Sequence, residues 1–151
     1  MSNLIINLSL SVIFGLAVLI FLIKKSSLKI EEILIFIITG LCVVFPASII
    51  EYRLAADTSS ITGFPKLLIN AFLIAALIEE SLKFFVVKLL ITVKKIEPGK
   101  KIIAAAVAAG TGFACLENVM YSFDSSMLVI FRIFSAIPLH IITAGIIGVF
   151  L

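Results

Sequence analysis

The segment IEESLKFF, residues 78–85, sets Glu79, Glu80 and Lys83 inside a run of Leu, Ile, Phe and Val. Two later apolar stretches repeat the oddity: GTGFACLENVMY carries Glu117 and Asn118, and RIFSAIPLH carries Arg132 and His140. A charge at the centre of a bilayer costs at least about 2.5 kcal/mol even on the most lenient scale, so these groups are expected to face one another rather than lipid. Successive helical residues turn by about 100°, which puts Lys83 between Glu79 and Glu80 seen down the axis and within reach of both. Three carboxylates, two fixed cations and one imidazole leave about one negative charge uncompensated when His140 is neutral. A bound metal cation would balance it, as would one carboxyl group kept protonated by burial.

Either solution supports hydrolysis. A buried carboxylate near neutrality can take a proton from water while a basic group on another helix holds that water, and attack on an amide becomes feasible. With a metal, His140, Glu79 and Glu117 offer the nitrogen and oxygen donors of an open catalytic site, zinc being the natural candidate. Plainer readings stand beside these. Glu80 with Lys83, and Glu117 with Arg132, read equally well as packing salt bridges between helices. Asn118 orients or caps a neighbour, and Lys88 snorkels toward the headgroups. Buried carboxylates with Lys and His also build relays, so a proton- or ion-coupled transport component and a catalytically silent scaffold stay open. Pro138, two residues before His140, removes an amide donor and disturbs the helix around the carbonyl of Phe134, which suits one wall of a hydrated cavity. Pro46 reads as a simple kink.

The elements that must position these residues follow from composition. The 151-residue chain is 62% hydrophobic and 14% charged, with a mean hydropathy of +1.31, far outside the range of soluble domains. Five segments reach the roughly 20 apolar residues that span a bilayer: 4–23, 33–52, 67–93, 102–122 and 127–151. The expectation is an all-α fold, a polytopic transmembrane helix bundle forming one integral membrane domain over 1–151. The amino end has no basic region before its apolar run, so the first helix is expected to be retained. Cys42 and Cys115 fall inside apolar segments with no metal-ligand spacing and read as small buried hydrophobes. No basic tract with interleaved aromatics points to nucleic acid. The loops KKSSLKIEE, RLAADTSSITGFPK, KKIEPGKK and FDSS carry three, two, four and zero Lys or Arg, which predicts an external amino terminus. At about 1.5 Å per residue from the external ends, Glu79 and His140 fall in one layer near the bilayer centre. Glu117 and Arg132 fall in a second, shallower layer. Small residues spaced by four on two stripes, Ala104/Ala108/Gly112 and Ala106/Gly110/Ala114, predict a helix at the bundle centre, and Ala144, Gly145 and Gly148 a second tight contact.

Three of these motifs in this order, EExxK at Glu79–Lys83, FxxxEN ending at Glu117-Asn118, and PLH at Pro138–His140, resemble the PrsW family of intramembrane proteases, itself similar to the CAAX prenyl endopeptidases. The resemblance covers roughly residues 67–148. It implies that Glu79 and Glu80 are the catalytic acidic pair, with Glu117 and His140 their partners from the second and third motifs. It also implies a bacterial cytoplasmic-membrane enzyme acting on a membrane-anchored protein such as an anti-sigma factor. Family chains continue through further helices that bring another histidine. On that pattern, residues 1–151 alone are expected to bind metal poorly and to be weakly active or inactive, and a tight site would take its missing ligand from another subunit of a homo-oligomer or from water.

Overall fold

The computed structural model describes residues 2–121 and 126–151, all in helices or the short connections between them. Phe123–Ser125 of the predicted FDSS loop lie outside the described residues. The helices are α1 (Ser2–Lys25), α2 (Ile30–Asp57), α3 (Gly63–Leu68), a π-helical segment (Ile69–Ala76), α4 (Leu77–Lys94), α5 (Lys100–Tyr121), α6 (Ser126–Phe134) and α7 (Ala136–Phe150). Among the described residues four stretches are long and apolar enough to cross a membrane: Leu8–Lys25, Ile30–Asp57, Lys100–Tyr121 and Ile130–Phe150. The predicted segment 67–93 is one unbroken passage of α3, π segment and α4. Its length suffices to span, but five charged side chains in α4 set it apart from the other four by composition.

Two boundaries differ from the sequence reading for local reasons. The second segment starts earlier, at Ile30, because the Lys29 amide donates to Glu32 Oε2 at 2.8 Å and Glu31 and Glu32 sit in the first turn, where the helix dipole favours acids. It continues through Pro46 to Asp57. The segment 127–151 is two helices rather than one, broken at Ser135 (φ −117°, ψ −68°). Pro138 has no amide to give to the carbonyl of Phe134, so the ladder fails there. The Ser135 hydroxyl turns back to donate to the carbonyl of Phe131 at 2.9 Å.

α5 occupies the middle of the bundle, with twelve buried residues along its length. Its two small-residue stripes meet two different neighbours. On one side a side chain at Gly112 would run into the carbonyl of Ile37 in α2, and one at Gly40 of α2 into the carbonyl of Ala109. On the other, Gly110 lies against Ala144 and the His140 carbonyl of α7, and Gly148 of α7 against Ile103 and Ala106. Gly145 makes no such approach: a side chain there would rest 3.6 Å from Val107, ordinary contact. At the turn before α5, Gly99 adopts φ 92°, open to glycine alone at little cost, and its carbonyl accepts from Ile102 and Ile103.

The cysteines divide. Cys115 is half-buried, with its thiol 3.5 Å from the carbonyl of Ser11, whereas Cys42 is exposed on the outer face of α2, so the buried reading fails for it. In an apolar segment only the helix face decides burial, and Cys42 sits on the lipid side.

Candidate active site

α4 supplies the first three groups. Glu79 is 6% and Lys83 2% exposed, and the Lys83 ammonium lies 2.5 Å from Glu80 Oε1 but 3.9 Å from Glu79 Oε2. The bridge expected from helical spacing is therefore unequal: Lys83 commits to Glu80 and leaves Glu79 loosely held. The Phe113 ring of α5 covers the ammonium at 4.3 Å, a cation–π contact that takes the place of water.

α7 brings His140 between the two motifs. Its Nδ1 is 3.2 Å from Lys83 Nζ and 3.6 Å from Glu79 Oε2, and its Nε2 is 2.8 Å from Glu117 Oε2. An ammonium can only donate, so beside Lys83 a neutral ring accepts at Nδ1 and donates its Nε2–H to Glu117. The same Glu117 oxygen takes the guanidinium of Arg132 at 2.7 Å, and Arg132 lies over the Tyr121 ring at 3.8 Å. Glu117 and Arg132 therefore do not form a separate shallow layer. His140 joins both layers into one cluster, because the break at Ser135 and the close approach of α7 at Gly110 remove the straight helix that depth counting assumed.

Asn118, fully buried, donates to the Ser11 hydroxyl of α1 at 2.7 Å. It ties α1 to the helix that carries Glu117.

Sequence reasoning missed Glu51. Near the end of α2, it lines a cavity of about 220 Å³ together with Ser48, Glu79, Phe113, Glu117 and Tyr121. Its Oε1 is buried and, among the described residues, accepts from no donor; the same holds for Glu80 Oε2. The signal was present, since Glu51 falls inside the predicted span 33–52, but two residues before Arg53 it reads as an interface charge. With it the group holds four carboxylates against Lys83, Arg132 and one imidazole.

Glu79, Glu117 and His140 present one ligand atom each, all within 4.8 Å of one another, from three helices. One imidazole nitrogen and two carboxylate oxygens are a donor set that suits a divalent transition metal. A buried carboxylate–imidazole cluster beside a cavity in a helical membrane bundle defines an intramembrane site built for proton transfer or hydrolysis. A family model described as PrsW family intramembrane metalloprotease matches residues 29–151, and the chain belongs to that family. It is thus a membrane peptide hydrolase by family, and the match takes in α2, which lies outside the 67–148 stretch of the motif resemblance. No curated protein and no solved structure matches the chain.

Proposed function

We propose that this chain, a single membrane domain, hydrolyses a peptide bond within or beside the membrane in a membrane-anchored protein. Glu79, Glu80, Glu117 and His140 are the reacting groups, supported by Lys83, Asn118 and Arg132. The convergence of Glu79, Glu117 and His140 within 4.8 Å beside the cavity carries this reading.

Amide hydrolysis needs a proton acceptor for water, a positive group for the carbonyl oxygen and a proton for the leaving nitrogen. The acidic pair supplies the acceptor: Glu79 lines the cavity, and Glu80 keeps one oxygen free of partners beside Lys83. Glu79 or Glu80 would accept the proton of water, and Glu80 is the carboxylate that would remain for it if Glu79 held a metal. Arg132 and the His140 ring fix the Glu117 carboxylate, and Glu117 in turn fixes the orientation of the ring. A divalent metal, zinc by donor type, would be held by Glu79, Glu117 and His140 and would supply Lewis acidity toward the carbonyl and a more acidic water. By family resemblance the substrate class is a membrane-anchored anti-sigma factor, and the setting a bacterial cytoplasmic membrane. The loop lysines favour an external amino terminus, which puts Ser60 outside and Ser27 and Gly99 in the cytoplasm.

The test is cleavage of a single-pass substrate by the purified chain in liposomes, with metal analysis alongside. Wild type is expected to cleave weakly on its own and faster when its ligand set is completed, and Glu79→Gln to lose at least about a hundredfold in rate under either condition. Cleavage at the wild-type rate in Glu79→Gln overturns the assignment.

A further inference from the structure

We infer that Glu51 forms the acidic end of a substrate subsite, which takes a Lys or Arg side chain that the substrate carries close to its scissile bond. The inference rests on the protease reading.

Within the cluster each fixed cation is already committed. Lys83 pairs with Glu80 at 2.5 Å, and Arg132 with Glu117 at 2.7 Å. Glu79 has His140 and Lys83 nearby and belongs to the metal-ligand group. Glu51 stands apart from all three arrangements: no ion pair reaches it among the described residues, and its inner oxygen has no donor. A carboxylate with a buried oxygen left without a donor is costly, and a cation brought beside the group relieves that cost. The open space beside Glu51 is the cavity that Glu79 and Glu117 also line. A substrate bond placed against Glu79 and Glu117 therefore brings its neighbouring side chain toward Glu51.

Size and depth fit the same occupant. About 220 Å³ accommodates one extended side chain but no folded element. Glu51 lies six residues before the end of α2 at Asp57, about 9 Å by helical rise, at the bundle end opposite the lysine-rich loops. A long basic side chain flanking an apolar substrate segment is suited to that depth, because its stem stays in apolar surroundings while its head seeks an anion. Phe113, Val44 and Ala47 give the cavity apolar walls that suit such a stem, and Ser48 and Tyr121 also line it. An acidic substrate side chain would meet three carboxylates in the same cavity and be repelled.

The experiment measures kcat/KM in liposomes for single-pass substrates carrying Lys, Gln or Glu at each position flanking the cleavage site, with wild type, Glu51→Gln and Glu51→Lys. At one position wild type is expected to prefer Lys over Gln by about ten- to a hundredfold, the worth of a charge-assisted hydrogen bond. Glu51→Gln brings that ratio to about one, and Glu51→Lys, which sets a cation against the substrate's own, brings it below one. A wild type indifferent to charge at every position overturns the subsite, as does a Glu51→Gln enzyme that slows on all substrates alike while keeping its Lys preference. Should wild type cleave none of them, the protease reading itself fails. Anisotropy binding of the same labelled peptides then decides the subsite separately: tighter binding of the Lys peptide, lost in Glu51→Gln, supports it, and equal binding defeats it.

Discussion

At the end of the bundle bearing the lysine-rich loops, α5 meets its neighbours through Ala104, Ala105, Ala106, Ala108 and Ala109, with Ile33 and Phe36 of α2 filling the remaining space. At the opposite end the same helix turns Phe113, Glu117 and Asn118 toward charged and polar partners, and a cavity opens beside them. One helix thus serves two unlike purposes. In lipid there is little hydrophobic drive to bring helices together, so the alanine end gains its cohesion from backbone-to-backbone approach. That cohesion lets the other end hold buried charges and an open space, each of which would otherwise loosen the bundle.

The comparison breaks most visibly in activity. Replacing His140 by Ala removes the group that joins α4 to α5, and cleavage should fall by about a hundred- to ten-thousandfold, measured on a single-pass substrate, while the alanine end keeps the protein folded. Charge removal at the polar end should be uneven in thermal unfolding. Lys83→Leu leaves Glu80 and Glu79 without their cation in a buried setting and should cost about 3–5 kcal/mol, whereas Glu79→Leu keeps the Lys83–Glu80 pair and should cost clearly less. Equal losses in one detergent would show that Lys83 is not held inside. At the packed end the sensitive property is volume. Gly40→Val drives a side chain into the backbone of Ala109 and should cost about 1–3 kcal/mol or more, while Gly145→Ala, with room beside Val107, should leave the unfolding midpoint unchanged.

The smallest effect lies in the loop at the packed end, where Glu97 accepts from Lys101 at 2.6 Å. The hydrogen bond and charge of Lys101 hold the Glu97 carboxyl below its ordinary value. A depressed folded-state value means that the contribution is present above the ordinary carboxylate range and is lost as pH falls through the lowered one. Glu97 is exposed and Lys101 partly so, and solvent screens the pair, so Lys101→Met should lower the midpoint only slightly at neutral pH and leave the acid end of a midpoint-against-pH curve unchanged. A large change at neutral pH would contradict an exposed pair.

The helical class and the membership of the charged cluster were legible because charge inside an apolar run is costly, and the cost marks Glu79, Glu80, Lys83, Glu117, Arg132 and His140 without any structure. The central place of α5 was legible for a similar reason, since alanine and glycine at intervals of four have few other uses. Depth was not. Counting rise along straight helices separated Glu117 from His140, and the break at Ser135 cancelled the count. Glu51 and Ser11 escaped because a charge near a helix end and a serine in a membrane helix are both common, and only the partner across the bundle makes them special. The π segment left no trace in the sequence, since Ile69–Ala76 is as apolar as any α-helical stretch.

The bond from Asn118 to Ser11 has a consequence for where the working unit begins. The family match starts at residue 29, after α1 has ended, yet Ser11 of α1 receives the amide of the residue next to Glu117. Homology and cooperativity therefore draw different borders. A fragment cut at the homology border would keep every proposed reacting group but leave the fully buried Asn118 amide without its acceptor, at about 1–3 kcal/mol for the orphaned donor. Behind Glu117 the α1 contacts of Cys115 and Asn118 would be gone, and the carboxylate would lose its backing before it lost any partner. The first helix, which carries none of the proposed reacting residues, is in this sense part of the site's foundation.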